Sequence, residues 1–265
     1  MKLPVVLTVA GSDSGGGAGI QADLKTFAAL GCHGTSAIAA VTVQSTRGVS
    51  GYLDLPPALV RDQMDAVVAD LAPRAAKTGM LASTAIIEVV AEAIEEHRLR
   101  VVVDPVMVAK GGHQLLHEDA VNALRDRLLP AAAILTPNLP EAEVLLGRKI
   151  HTPDQAAQAA RDLVGLGCHA AVVKGGHAAG GADDVLYDGT EITWLRAKRV
   201  ETPHTHGSGC VFSAAIAAGL AQGLPLADAV ARAKRFISGA IQHALALGGG
   251  HGPVNPMWEQ TSERR

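Results

Sequence analysis

The sequence predicts an α/β fold: one domain built on a mostly parallel central sheet with helices on both faces. Three observations carry that expectation. Short β-branched runs alternate with longer stretches of helical apolar spacing, the order that builds parallel sheets from strand–helix–strand units. Glycine or Asp-Pro turns close most of these runs, at Gly11, Gly79, Asp104 and Gly175. No internal repeat and no composition break divides the 265 residues, so residues 1–265 are read as a single domain with a mobile tail from about 254.

Each element follows from local chemistry. Residues 5–9 (Val-Val-Leu-Thr-Val) form a first strand that stops in Ala10-Gly-Ser-Asp-Ser-Gly-Gly-Gly-Ala-Gly19. Helical periodicity then spans 20–30, with Gly31 as the stop signal. The loop fails as a dinucleotide fingerprint, because Ile20 stands where the third glycine after Gly15-x-Gly17 belongs. A P-loop fails too, since no Gly-Lys pair occurs anywhere. The loop either lets a flat ligand approach the backbone or packs a helix against the sheet. Asp23, one turn into that helix, is either a charge that suits the helix dipole or a carboxylate facing a ligand.

Residues 34–43 read as a second strand ending at Gln44-Ser-Thr-Arg-Gly48, and 57–71 as a helix. A short buried strand over 75–78 ends at Gly79-Met80, and Ser83 caps a helix reaching 97. The strand 101–103 runs into Asp104-Pro-Val-Met107. Ligands of open α/β sheets sit outside such strand ends, which makes Asp104 a candidate against the ordinary turn aspartate before proline. A helix over 119–128 and a strand over 133–135 lead to Thr136-Pro-Asn-Leu-Pro-Glu141, which opens another helix. Glu141 and Glu143 suit that helix's dipole by position alone. Next come a helix over 153–166, a strand over 170–173, and Lys174-Gly-Gly176 at its end. Strands 185–188 and 191–195, joined by Gly-Thr, form a hairpin at the sheet edge. A helix over 226–247 precedes the loop Gly248-Gly-Gly-His-Gly-Pro-Val-Asn-Pro256.

The chemistry concentrates in Thr205-His-Gly-Ser-Gly-Cys210, where two glycines flank a hydroxyl and an apolar helical run begins at once. Such a turn aims unpaired backbone N–H groups and a positive dipole end at one point, a site for phosphate or another anion. Cys210 falls in the first turn, where the same field is expected to lower a thiol's pKa. A glycine loop that merely caps a buried helix is the plainer alternative. Acids, a lysine and glycine turns at strand ends, beside an anion cradle and a base, are the parts of phosphoryl transfer without a Walker motif.

Composition narrows the classes. The chain is 48% hydrophobic but only 3% aromatic, so Ala, Val, Leu and Ile build the core. A net charge of −3 gives no reason to expect nucleic acid or an anionic membrane as partner. Cys32, Cys168 and Cys210, widely spaced and odd in number, argue for a reducing, cytoplasmic setting rather than a disulfide framework. No apolar run suits a membrane span, and the early first strand is read as leaving no room for a signal peptide. His204-x-His206 lacks the companions of a zinc motif, and no Gly-x-Ser-x-Gly elbow occurs.

Six segments together resemble the hydroxymethylpyrimidine/phosphomethylpyrimidine kinases of thiamine biosynthesis, within the ribokinase-like superfamily. They are Ala10 to Asp23, Lys77-Thr-Gly-Met80, Asp104-Pro-Val-Met107, Thr136 to Glu143, Val173-Lys-Gly-Gly176 and His206-Gly-Ser-Gly-Cys210, in the family's order from about Pro4 to Pro253. The resemblance implies a ribokinase-like fold and two successive ATP-dependent phosphorylations of 4-amino-5-hydroxymethyl-2-methylpyrimidine, first to the monophosphate and then to the diphosphate. It implies that Gly11, Asp23, Gln44, Met80 and Val106 line the pyrimidine pocket, with Asp23 and Gln44 bonding the ring edge. Gly207, Ser208 and Gly209 would form the anion hole, and Cys210 the base. Asp104 and Glu141 would organise Mg²⁺, while Asn138, Lys174 and Lys234 would contact ATP. Relatives of this kind often pair, so a homodimer is expected. Ser208 replaces the commoner Thr, and His204 the commoner Asn. The nearest rival is a pyridoxal kinase, alone or as a dual activity; a non-catalytic pyrimidine sensor stands further off.

Overall fold

Alternation along the strands decides the architecture. In the computed structural model, which describes residues 3–108, 111–117, 119–175 and 181–262, successive strand residues serve two different cores. Val101 and Val103 are buried with one cluster while Val102, between them, is buried with the other. Leu7 and Val9 divide from Val6 in the same way. Strands covered on both faces must be apolar throughout, and this is why they read as continuous β-branched runs.

The strands are β1 (Val5–Ser12), β2 (His33–Ser45), β3 (Gly48–Asp54), β4 (Ala75–Thr78), β5 (Val101–Val103), β6 (Ala132–Leu135), β7 (Ala171–Val173), β8 (Asp184–Tyr187) and β9 (Ile192–Leu195). They form one sheet in the order β3-β2-β1-β4-β5-β6-β7-β8-β9. The six strands from β2 to β7 are parallel, and β3 at one edge and β8–β9 at the other run antiparallel. The helices are α1 (Gly19–Ala29), α2 (Pro57–Leu71), α3 (Thr84–Glu96), α4 (Ala120–Ala123), α5 (Leu139–Leu146), α6 (Pro153–Gly165), α7 (Ser208–Ala221), α8 (Leu226–Gln242) and α9 (Trp258–Ser262). Core residues from α2 to α6 cover one face, and those from α1, α7 and α8 the other. This is the expected mostly parallel α/β domain.

Helix α7 is the axis of the second layer. Its residues from Val211 to Ala221 are all buried, and five alanines among them let α1 and α8 pack close. The edge hairpin β8–β9 stands where the sequence predicts it. One strand goes unread in the sequence and two helices need correction. The second strand ends at Ser45, close to where the sequence places its end, but the chain then folds back as β3, a Gly- and Ser-bearing strand recognisable only through its partner. The helix over 119–128 is α-helical only at Ala120–Ala123 and widens into a π-helical segment at Leu124–Leu128. Helix α8 stops at Gln242, five residues early.

After α8 the chain turns back through a glycine-rich stretch. A Cβ at Gly250 would lie 2.1 Å from the Thr46 carbonyl oxygen, and one at Gly252 2.1 Å from that of Leu245. The chain uses these contacts to return to the sheet. His206 donates its N–H to Gly252, and Val254 donates to His206, clasping the loop before α7. The residues expected to begin a mobile tail are packed up to α9: Val254 is buried, and the Trp258 ring stacks on His243 at 5.5 Å. Residue Gly176 of the last strand-end motif lies outside the described residues.

Candidate active site

The parallel strands deliver their C-terminal ends to one cavity of about 470 Å³. Gly11 lies near the end of β1 and Gln44 near the end of β2, Met80 follows β4, Asp104 and Val106 follow β5, and Lys174 follows β7. The chain passes from β1 to β2 on one side and to β4 on the other, so this is the crevice where the strand order reverses.

The mouth of α7 closes the cavity from the second layer. Gly207 caps the helix at φ 78°, and a Cβ there would sit 1.8 Å from the Gly17 carbonyl oxygen. Only glycine allows the two loops to meet. Ser208 donates its N–H to Thr205, whereas the N–H groups of Gly209 and Cys210 fall in the first turn, with no carbonyl inside the helix to take them. They face the cavity with the positive end of a 14-residue helix behind them.

Opposite stands a charged cluster. Lys174 Nζ lies 3.0 Å from Asp104 Oδ1, and Thr136 and Ser213 donate their hydroxyls to the same carboxylate at 3.3 and 3.2 Å. Burial disfavours the Lys174 ammonium, but Asp104 and Glu141 outweigh it and hold its pKa above the ordinary value. Asn138 and Glu141 lock each other in a capping box, each accepting the other's backbone N–H at 2.8 Å. Burial pushes Glu141 up to about 7, with Asp104 adding to the rise and Lys174 opposing it. The second glutamate, Glu143, turns to the surface and binds Lys149.

The remaining wall is apolar. Gly11 donates its N–H to the Met80 carbonyl, and a Cβ at Gly11 would come 3.1 Å from the Met80 sulfur. Val106, Val108 and Leu115 complete this side, with Gln44 at its edge. The Gln44 Oε1 accepts from Thr42 at 3.1 Å.

Two of the sequence-derived site residues do not reach the cavity wall. Asp23 is fully buried beneath it, where it accepts from Thr8 at 2.7 Å and from Lys77 at 2.9 and 3.1 Å. Lys234 faces Asp184 at 2.7 Å and the Ala182 carbonyl, and Asp184 in turn takes the Gly175 N–H. It braces the turn after β7 from behind. Cys210 does line the cavity, but its predicted low pKa is overturned. Burial pushes the thiol up to about 11, with Asp23 and Asp104 adding to the rise and Lys77 opposing it. The other eleven site residues line the cavity together.

Sequence reasoning missed two residues here. Asp13 gathers the glycine loop by accepting N–H groups from Gly15, Gly17 and Ala18, and it takes His206 Nε2 at 2.9 Å. Burial works against the Asp13 carboxylate, yet His206 and the backbone donors pull its pKa down. Its signal was an aspartate two residues before glycine, the pattern of an Asx turn. Lys77 was the other, a lone cation in a four-residue strand that is buried throughout. The unusual His204 accepts the Gly252 N–H at 3.0 Å and so belongs to the clasp on the α7 loop.

Comparison with known proteins bears on this geometry. The phosphomethylpyrimidine kinase family profile matches residues 13–255. A thiamine biosynthesis bifunctional protein of Geobacter sulfurreducens is 54% identical over 94% of this chain, which spans 51% of that longer protein. A hydroxymethylpyrimidine/phosphomethylpyrimidine kinase of Streptomyces coelicolor is 50% identical over 96% of this chain and 95% of its own length. Among solved structures, the pyridoxal kinase of Bacillus subtilis in an ADP complex superposes with a TM-score of 0.91 at 38% identity, covering 98% of this chain and 99% of that one.

Proposed function

The chain belongs to the phosphomethylpyrimidine kinase family, and from that premise we propose how its cavity divides the work of the reaction. The protein is a phosphotransferase of thiamine biosynthesis that phosphorylates hydroxymethylpyrimidine and then its monophosphate. ATP is the phosphoryl donor, a reading supported by the ADP complex of the similar Bacillus kinase. The aminopyrimidine lies against Met80 and Val106, with Gly11 keeping the wall close and Gln44 bonding the ring edge. The transferring phosphate sits on Gly207, Ser208 and Gly209, where the α7 N-terminus supplies donors without reorganisation. Cys210 accepts the proton of the substrate hydroxyl. Lys174 and Asn138 face the nucleotide phosphates. Asp23 and Lys234 support these groups from behind and touch no ligand.

Mg²⁺ suits the donor set. Asp104 and Glu141 bring carboxylate oxygens, the ligands a hard cation prefers, to one cavity. Glu141 is held near 7 by burial and by Asp104, so a divalent cation would relieve a repulsion already present. When bound, the ion neutralises charge on the phosphate being transferred. Asp104 and Glu141 would hold it, and Lys174 would stay beside them as the fixed cation of the site.

We further assign a homodimer working in the cytoplasm. Val41 and Leu53, cross-strand neighbours on β2 and β3, are 45% and 69% exposed beside Val43 at 65%, an apolar face that suits a second copy. Three free cysteines suit a reducing compartment.

One observation carries the reading: the α7 N-terminus, the Asp104–Lys174 pair and Cys210 converge on a cavity whose far wall is apolar. Product analysis with Mg-ATP and hydroxymethylpyrimidine, beside a parallel tube of pyridoxal, tests it. Pyrimidine mono- and diphosphate with little pyridoxal phosphate is the expected result. Pyridoxal phosphate as the main product would move the substrate to the B6 vitamers. Binding without transfer would sink the kinase reading.

A further inference from the structure

Under the cavity floor lies an ion pair that the roles above leave unused. Lys77 and Asp23 have no exposed side-chain surface, and Lys77 Nζ lies 2.9 Å from Asp23 Oδ2. Thr8 is the register partner of Lys77 across β1 and β4, and its hydroxyl donates to the same Oδ2 at 2.7 Å. The ammonium is enclosed: a Cβ at Gly79 would come 2.8 Å from Nζ. A buried ion pair is weak evidence of stabilisation, because apolar replacements of such pairs are often neutral or better. Its position suggests another use. Lys77 borders the cavity together with Cys210. Gly19, the first residue of α1, lines the same cavity as Cys210 at the mouth of α7.

Resting on Cys210 as the base, we infer that Lys77 is a positioning residue for it: held in place by Asp23 and Thr8, its ammonium faces Cys210 and stabilises the thiolate that takes the substrate proton. The charges facing Cys210 come from four places. Lys77 on β4 and Lys174 after β7 favour the thiolate, while Asp23 on α1 and Asp104 after β5 oppose it. Asp23 then has two effects of opposite sign. It orients the lysine, and its own charge works against the thiolate.

The test reads Cys210 ionisation directly, through the pH dependence of its alkylation by iodoacetamide, resolved by peptide mass. Buried Cys32 and Cys168 serve as internal controls. Asp23→Asn keeps an amide oxygen to hold Lys77 while it removes a repelling charge, so its midpoint should fall below that of the wild type. Lys77→Met/Asp23→Asn removes both charges together, and comparison with Asp23→Asn isolates the lysine. The double variant's midpoint should lie at least about one pH unit above that of Asp23→Asn, roughly a tenfold slower reaction near pH 8. Equal midpoints in the two variants would overturn the inference. Should the double variant not fold, an Asp23→Asn midpoint at or above the wild-type value would do the same. The base assignment stands or falls separately, on turnover of Cys210→Ala.

Discussion

Replacing Gly207 by alanine sets a methyl group where the structure has a carbonyl oxygen. The new Cβ would lie 1.8 Å from the Gly17 oxygen, and real Cβ atoms keep at least 3.0 Å from such neighbours, so the loops must part by 3.0 − 1.8 = 1.2 Å. The backbone adds a second cost, since φ at 207 is 78° and alanine in that region is strained by about 1–2 kcal/mol. The shift acts where the N–H groups of Gly209 and Cys210 must meet a phosphate, and a displacement of about 1 Å can cost on the order of 100-fold in rate. Gly207→Ala should therefore lose about two orders of magnitude in kcat while its Tm falls by a few degrees, roughly 2–4 °C per kcal/mol for a chain of this size. Steady-state turnover on hydroxymethylpyrimidine and a thermal melt measure both. Wild-type kcat together with wild-type Tm would refute the close packing of Gly17 on Gly207 and the anion hole built on it.

Further outcomes follow from the same geometry. Glu141 sits at about 7 when folded against an ordinary 4.5, so the folded state holds the extra proton between those values. Its contribution to stability is therefore full below about pH 4.5 and is lost as pH rises through 7. In ligand-free urea unfolding, the stability of wild type relative to Glu141→Gln should drop by on the order of 3 kcal/mol from pH 4.5 to 8, and a flat difference would contradict it. Cys210 stays a thiol near neutrality, since burial pushes it up to about 11. Turnover under saturating substrates should accordingly rise from pH 7 to 9, and a profile level across that range would argue against a thiolate base. Trp258→Ala removes the ring stacked on His243 and packed by Phe236, and should cost about 2 kcal/mol in denaturant melts. An unchanged melt would mean that α9 adds nothing to the fold.

Much of this architecture is legible in the residues because parallel strands covered on both faces must be apolar, and Val101 to Val103 could be little else. The α7 cradle is equally legible, since glycines on both sides of Ser208 leave the helix mouth open. What escapes is whatever depends on a partner far away in sequence. Strand β3 carries Gly48, Ser50 and Gly51, and it becomes a strand only by pairing with β2. The direction of Asp23 depends on Thr8 and Lys77 meeting in register on two strands, which no local pattern reveals. Cys210 shows the same division. Its place in a helix's first turn is written in the chain, but the burial that raises its pKa arises only when α1, α7 and β4 come together. The stretch from Gly248 to Gly252 reads as a slack loop until Thr46 and Leu245 are seen filling the space a side chain would need.

The most direct test of the account is Cys210→Ala, with kcat measured beside the dissociation constant for ATP. A general base contributes about 10²–10⁴-fold, so the account predicts turnover reduced by that factor with ATP affinity within about twofold of wild type. Near-normal turnover in Cys210→Ala would contradict it.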